Sequence, residues 1–176
     1  LANTVALFFA FVFLVPYARA QGIPEVTAAS LMGIIGGASI AGRLIFGALG
    51  DKISRIRLFQ TTFLIVALSF ALWLFAANSF LLLVLFASIL GAGYGGFIAL
   101  SPVINAELFG LVGLGSILGA MYTAAGIGGL IGPPLAGYLI DTTGSYTPAI
   151  IAAMIFGFIS FLLLIPVERH MKRQVQ

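Results

Sequence analysis

"GGASIAGRLIFGALGD", residues 36–51, and "GIGGLIGPPLAGYLID", residues 126–141, are the two stretches that decide how this chain folds. Laid over each other at an offset of ninety, Gly36 falls on Gly126, Gly42 on Gly132, Gly47 on Gly137 and Asp51 on Asp141. Glycine is frequent, 22 in 176 residues, so the glycine matches alone weigh little. Asp51 and Asp141 are the only aspartates in the chain, and their coincidence weighs more. Both stretches are apolar runs that end in a carboxylate, the pattern of a helix that leaves a membrane where its charge begins. The match points to two copies of one unit.

Composition sets the solvent. The chain is 61% hydrophobic and 7% charged, with a mean hydropathy of +1.20. Soluble domains are about half apolar and about a quarter charged, so this chain must meet lipid. The net charge is +3, but six of the eight cations sit in two short segments beside apolar runs. That is the mark of membrane-flanking loops and argues against nucleic acid as a partner. Cysteine is absent, which excludes disulfides and thiolate-bound metal. The single His170 lies in the basic tail and cannot make a metal site alone. No cofactor is expected.

Crossing about 30 Å of hydrocarbon takes about 20 apolar residues. Six segments qualify: about 1–17, 28–50, 58–77, 79–101, 114–140 and 148–166, followed by a basic tail, 167–176. The first imitates a secretory leader, with Ala18, Arg19 and Ala20 as the cleavage site, but it lacks a basic leading segment. Five similar segments follow, so it reads as a first span entered partway, in a fragment of a longer protein. Pro16 and Pro24 bracket the first loop. Asn78 and Ser79 form the turn that caps the fourth span. Pro148 suits a first helical turn. Pro133 and Pro134 are expected to kink or break the fifth span.

Cations in short loops set orientation. Lys52, Arg55 and Arg57 share one side with Arg169, Lys172 and Arg173, and the other side has only Arg19. This puts loop 51–57 and the C-terminus in the cytoplasm, most simply at the plasma (inner) membrane. Three spans separate Asp51 from Asp141, so the two units are inverted, as is common in transporters. The expected fold is all-α, six transmembrane helices as two inverted three-helix repeats.

Small residues let helices approach closely in lipid. Gly36, Gly42, Gly126, Gly132 and Gly137, with Pro133, Pro134 and Asp141, read as packing positions. Spans two, four and five are expected to pack and move, and spans three and six to face lipid. The first opens with Asn3 and Thr4, a wet or protein-facing start. Gly91, Gly93, Gly95 and Gly96 imitate a dinucleotide loop, but no strand precedes them and they read as packing. No Ser/His/Asp set, paired intramembrane carboxylates or metal spacing supports an enzyme.

Two stretches carry a family resemblance. "GALGDKISR" (47–55) resembles the cytoplasmic loop motif of the major facilitator superfamily, with Ser54 where that motif has Gly. "GPPLAGYLIDTTGSYTPA" (132–149) and "LSPVINAELFG" (100–110) resemble its monocarboxylate transporter-like and oxalate/formate antiporter-like branch. The resemblance covers the whole chain as helices seven to twelve of a twelve-helix carrier, its C-terminal half. It implies a small organic anion as substrate, the N-terminal half as partner, and a coupling proton. Arg43 matches the eighth-helix arginine of monocarboxylate transporters, with Ser39 where they carry an aspartate one turn earlier. Oxalate antiporters use a lysine on the eleventh helix, and the fifth span here has no cation.

Arg43 is the one cation inside a span. At the bilayer centre it costs about 2.5–3.5 kcal/mol on insertion scales. It can snorkel to headgroups, pair with the other half, or meet an anion. Side chains tilt toward a helix's N-terminus, and this helix starts outside, so Arg43 leans to the midplane. Ser39, Tyr94, Tyr122 and Thr123 are the further candidate substrate contacts, with interhelical hydrogen bonding as the alternative for the last three. Gly47, Asp51, Lys52 and Arg55 form the candidate gating loop, either a charge latch with Glu107 as partner or a solvated loop. Asp141 is expected to cap or pin the outer end of span five. The function expected is secondary active transport of small organic anions, monocarboxylates foremost, by alternating access. An anion exchanger, a carrier of another solute, and a non-transporting receptor or assembly protein stand as alternatives.

Overall fold

A computed structural model of the chain describes residues 1–77 and 79–174, with side chains described as far as Val167 apart from Asn78. The cap expected of Asn78 and the tail side chains from Glu168 onward, His170 included, lie outside the described residues. Six helices follow one another: α1 (Ala2–Ala20), α2 (Glu25–Leu49), α3 (Arg55–Ala76), α4 (Phe80–Phe109), α5 (Leu114–Thr143) and α6 (Thr147–Gln174). All six are long and apolar enough to cross a membrane, α6 over Thr147–Val167. In lipid a backbone must satisfy its own hydrogen bonds, and a helix does so within one segment.

Proline and glycine divide the punctuation differently from the sequence expectation. Pro16 lies inside α1, which runs to Ala20. Pro133 and Pro134 lie inside α5, which continues through both as α-helix. Each proline removes one intrahelical donor, and a helix packed on its neighbours tolerates that loss in a membrane. The turns are made where φ is positive: Gly22 at +83° after α1, and Gly113 and Gly144 at either end of α5. Only glycine enters that region without a Cβ penalty. Pro24 and Pro148 instead sit where a helix begins and the donor has no partner anyway.

The packing repeats itself. α2 lies chiefly on α4, and α5 chiefly on α1; α3 and α6 lie on each other. Exchanging the first three helices for the last three turns each of these contacts into another of the set. That is the signature of two like units, and their odd number of spans inverts one against the other. The fold is a six-helix membrane bundle of two inverted three-helix repeats.

The core has two centres. Trp73, fully buried, gathers Phe9, Tyr17 and Phe86 at ring-centroid distances of 5.0, 5.6 and 4.8 Å. Beyond it, Tyr17 meets Tyr146 edge-on at 5.3 Å, joining the end of α1 to the start of α6. The second centre is built from Phe46, Ile56, Phe59, Phe63, Leu100 and Ile104 at the opposite end. This placement reverses one expectation. α3 buries Phe59, Phe63, Val66, Phe70 and Trp73, whereas α5 buries only Gly128, Gly132 and Ala136. The reason is geometric. Glycines at a spacing of four make one narrow contact stripe, while Gly93 and Gly96 of α4 give α3 places to seat Val66 and Thr62.

Candidate functional site

α2 positions the central residue. Its buried positions are Ala28, Leu31, Ile35, Ser39, Gly42 and Phe46, a stripe that faces α4. The approach is closest where glycines meet. A Cβ on Gly91 would lie 2.5 Å from the Ile35 carbonyl oxygen, and Cβ atoms on Gly42 and Gly95 would run into the backbones of Ala92 and Ser39. The inverted unit repeats the device, for a Cβ on Gly132 would lie 2.8 Å from the Val5 carbonyl oxygen. At these positions the atom met is backbone, which cannot swing aside as a side chain can.

Arg43 follows Gly42 and so falls just off the stripe. It is exposed, and among the described residues no carboxylate pairs with it. Gly36 and Gly47 lie seven residues before it and four after, on the same face. Nothing comes within 4 Å of a Cβ built on either. The arginine therefore stands on an open strip with small neighbours, on a helix of membrane-crossing length.

The other candidate contacts are placed apart from it. Ser39 is 5% exposed, within the α2–α4 contact, and its Oγ donates to the Gly36 carbonyl oxygen at 2.8 Å. Tyr94 is half-buried and turns to α1, its ring edge-on to Phe11 at 5.3 Å. Tyr122 is exposed on α5, and the Thr123 hydroxyl donates to the Gly119 carbonyl oxygen at 2.9 Å. No hydrogen bond among the described residues joins these to Arg43. α2 and α5 form opposite flanks, each packed on a different helix of the α1/α4 pair. Gly126 and Gly36 have nothing within 4 Å of a Cβ, and Gly137 meets only the Phe13 ring at 3.8 Å.

The charged loop is tied together. Arg55 Nη1 donates to Glu107 Oε1 at 2.6 Å, Nη2 reaches Asp51 Oδ1 at 3.4 Å, and Nε donates to the Gly50 carbonyl oxygen at 3.1 Å. One guanidinium thus clasps the end of α2, the start of α3 and the C-terminal end of α4. Planar donors in a fixed fork suit such a three-way contact. The pair is partly exposed, so water and salt screen it and it adds little to stability. Lys52 is exposed and outside the ion pairs. Asp141, the repeat mate of Asp51, has no such partner among the described residues. Ser145 stands at the offset position of Arg55, and the turn after α5 is closed by Thr142 and Thr143 bonding back to Tyr138 and Leu139.

A cleft of about 720 Å³ opens between the starts of α1 and α3, the ends of α4 and α6, and α5, with Asn3, Thr4 and Asn105 as its polar lining. The amide of Asn3 has no hydrogen-bond partner there. Arg43 does not line it. Among the described residues no three of His, Asp and Glu gather as metal ligands would.

Comparison with known proteins agrees with this architecture. The family model described as Major Facilitator Superfamily matches residues 1–175. Monocarboxylate transporter 12 of Rattus norvegicus is 40% identical over 169 residues, 93% of this chain and 35% of that protein. Monocarboxylate transporter 12 of Homo sapiens is 36% identical over 173 residues, 94% of this chain and 33% of that protein. Monocarboxylate transporter 13 of Rattus norvegicus is 36% identical over 163 residues, 89% and 36% of the two chains. This chain spans about a third of the length of these curated relatives. An inverted six-helix membrane bundle with that match over nearly its whole length belongs to the Major Facilitator Superfamily, and its sequence is similar to the monocarboxylate transporters within it.

Proposed function

We propose that this chain is the C-terminal half of a secondary active carrier that moves small organic anions, monocarboxylates foremost, by alternating access. The observation that carries the reading is Arg43. A guanidinium on a membrane-crossing helix, exposed and without a carboxylate partner among the described residues, is costly unless something anionic meets it. The open strip around Gly36 and Gly47 leaves room for a small ligand. The names of the similar proteins support a carboxylate as that ligand. The second cation of a dicarboxylate site is missing from α5, which favours one carboxylate over two. A coupling proton has no deep carboxylate to use in the described spans. Asp51, Glu107 and Asp141 all lie near helix ends, so the proton travels with the substrate or through the N-terminal half. The Arg55 clasp lies on the side where cations concentrate, which we assign to the cytoplasm. There it biases the inner end toward closure.

Counterflow in proteoliposomes containing the full-length protein tests the reading. Vesicles preloaded with unlabelled monocarboxylate should accelerate uptake of the labelled compound. Equal uptake with and without preloading would identify a receptor or assembly protein rather than a carrier. A panel of mono- and dicarboxylates, with and without a pH gradient, separates symport from exchange.

A further inference from the structure

The repeat reaches beyond the stretches that revealed it. At the offset of ninety, α5 falls on α2 and α6 on α3, and the last residue of α4, Phe109, falls on Arg19 in α1. The mates of Phe80–Leu90, the first three turns of α4, therefore stand ahead of Leu1. In α4 this stretch makes core. It buries Leu83, Phe86, Ala87 and Leu90, and the Phe86 ring lies 4.8 Å from Trp73 and 5.5 Å from Phe70, near the end of α3. Its mate should meet the end of α6, where Leu163 stands for Trp73. Trp73 is fully buried, and Leu163 is 63% exposed. The next residue, Leu164, lines the cleft of about 720 Å³, together with Pro166, Phe59 and Ile104. Two details on α1 point into the same space. Leu1 lines the cleft, and its carbonyl oxygen already accepts from the Thr4 and Val5 backbone N–H groups at 3.1 Å, so the backbone is helical from there. Asn3 is 5% exposed, and neither atom of its side-chain amide has a partner among the described residues. Asn105, the other asparagine of the cleft, donates to the Ser101 carbonyl oxygen four residues earlier in its helix, at 2.7 Å. For Asn3 the corresponding carbonyl belongs to the segment ahead of Leu1, toward which a helical side chain tilts. A buried amide calls for such a partner.

We propose that this cleft is the seat of the segment that precedes Leu1 in the full-length protein. That segment continues α1 as helix for about three turns, roughly 16 Å, and lays its apolar face against the end of α6 and the aromatic wall of α3 and α4. The inference rests on the reading of this chain as the second half of a longer carrier. The occupant is protein because the repeat supplies a helix of matching length at that place. The Asn3 amide adds the need for a backbone carbonyl, which a lipid acyl chain does not offer. Phe59 and Ile104 belong to the second core centre. The connection between the two halves is then fastened into the core of this half.

Disulfide trapping in the full-length protein tests the seat. A cysteine placed at the repeat mate of Phe86, ahead of Leu1, should join Leu163→Cys under mild oxidation and should not join Ser145→Cys beyond the far end of α5. Asn3→Leu gives a second measurement with a definite sign. An amide left unpartnered in an apolar cleft is costly, so leucine would raise the unfolding temperature; an amide bonded to the preceding turn makes the same change lower it by several degrees. Bimane attached at Leu108→Cys should be dark to quenching by brominated lipid. Failure of the Leu163 disulfide, a rise in unfolding temperature for Asn3→Leu, or quenching that reveals an acyl chain in the cleft would overturn the proposal. Counterflow separates this from the carrier reading: a disulfide in a protein without counterflow sinks the carrier alone, and counterflow without the disulfide sinks the seat alone.

Discussion

Arg43 can be tested by comparing the two ways in which it can be lost. Anion recognition by arginine uses a planar pair of donors, which the ammonium of lysine does not reproduce. Losing a charge-assisted hydrogen bond in a desolvated site costs about 1.5–3 kcal/mol, roughly ten- to a hundredfold in affinity. Arg43→Ala should therefore abolish carboxylate uptake, and Arg43→Lys should raise the half-saturation concentration while some transport remains. Direct binding at matched membrane levels is the decisive measurement; wild-type affinity in Arg43→Lys would mark a side chain that merely snorkels. The residue itself stands out in the sequence, because one cation lies in an otherwise apolar span. The placing of Ser39 was not. Its direction depends on the phase of the α2 stripe, which is set by the approach of Gly91 and Gly95 from α4. No count of residues within α2 reports that partner.

At the scale of the element, two kinds of glycine look alike in the sequence and differ in the fold. Gly42 and Gly132 touch the backbone of a facing helix, while Gly115 and Gly119 have nothing within 4 Å of a Cβ. Leucine favours helix over glycine by close to 1 kcal/mol, so at Gly115 the substitution should be neutral or stabilising. At Gly42 or Gly132 the same change forces two backbones apart, at a cost of about 1–3 kcal/mol or more. Thermal unfolding in detergent should fall by several degrees for Gly42→Leu and Gly132→Leu and stay level or rise for Gly115→Leu. A uniform response of all three would show that the close contacts do not bear on stability. Helix boundaries were legible only in part. Pro16 read as the edge of a loop and the Pro133–Pro134 pair as a kink or a break, and each lies inside a helix that continues past it.

At the scale of the whole molecule, the number of spans and their inverted pairing followed from the Asp51/Asp141 match and the apolar run lengths. The sidedness assigned under the proposed function is open to a clean test, since the chain has no native cysteine. Ser54→Cys and Ser145→Cys should react with an impermeant thiol reagent from opposite faces of oriented vesicles. Reaction of both from one face would break the inverted topology. The burial of α3 against α4 and α6 was not legible. A span rich in Phe, Leu and Ile satisfies lipid and a protein core equally well, and hydropathy cannot tell them apart.

The two units join corresponding helix pairs by different chemistry. At one end α3 and α4 meet through Arg55 and Glu107; at the other, α6 and α1 meet through Tyr146 and Tyr17. Tyr17 stands at the repeat position of Glu107, ninety residues earlier. Two like units have thus acquired unlike fastenings, one ionic and one aromatic. They should respond to the medium in opposite senses. Added sodium chloride screens the first, while sulfate, excluded from apolar surface, tightens the second. Backbone hydrogen exchange around residues 50–57 should quicken in chloride, and around 141–147 it should slow in sulfate. An ancestral symmetry would then persist in the backbone while the two mouths obey different solvents, so that ionic composition alone could tilt the protein toward one side of its membrane.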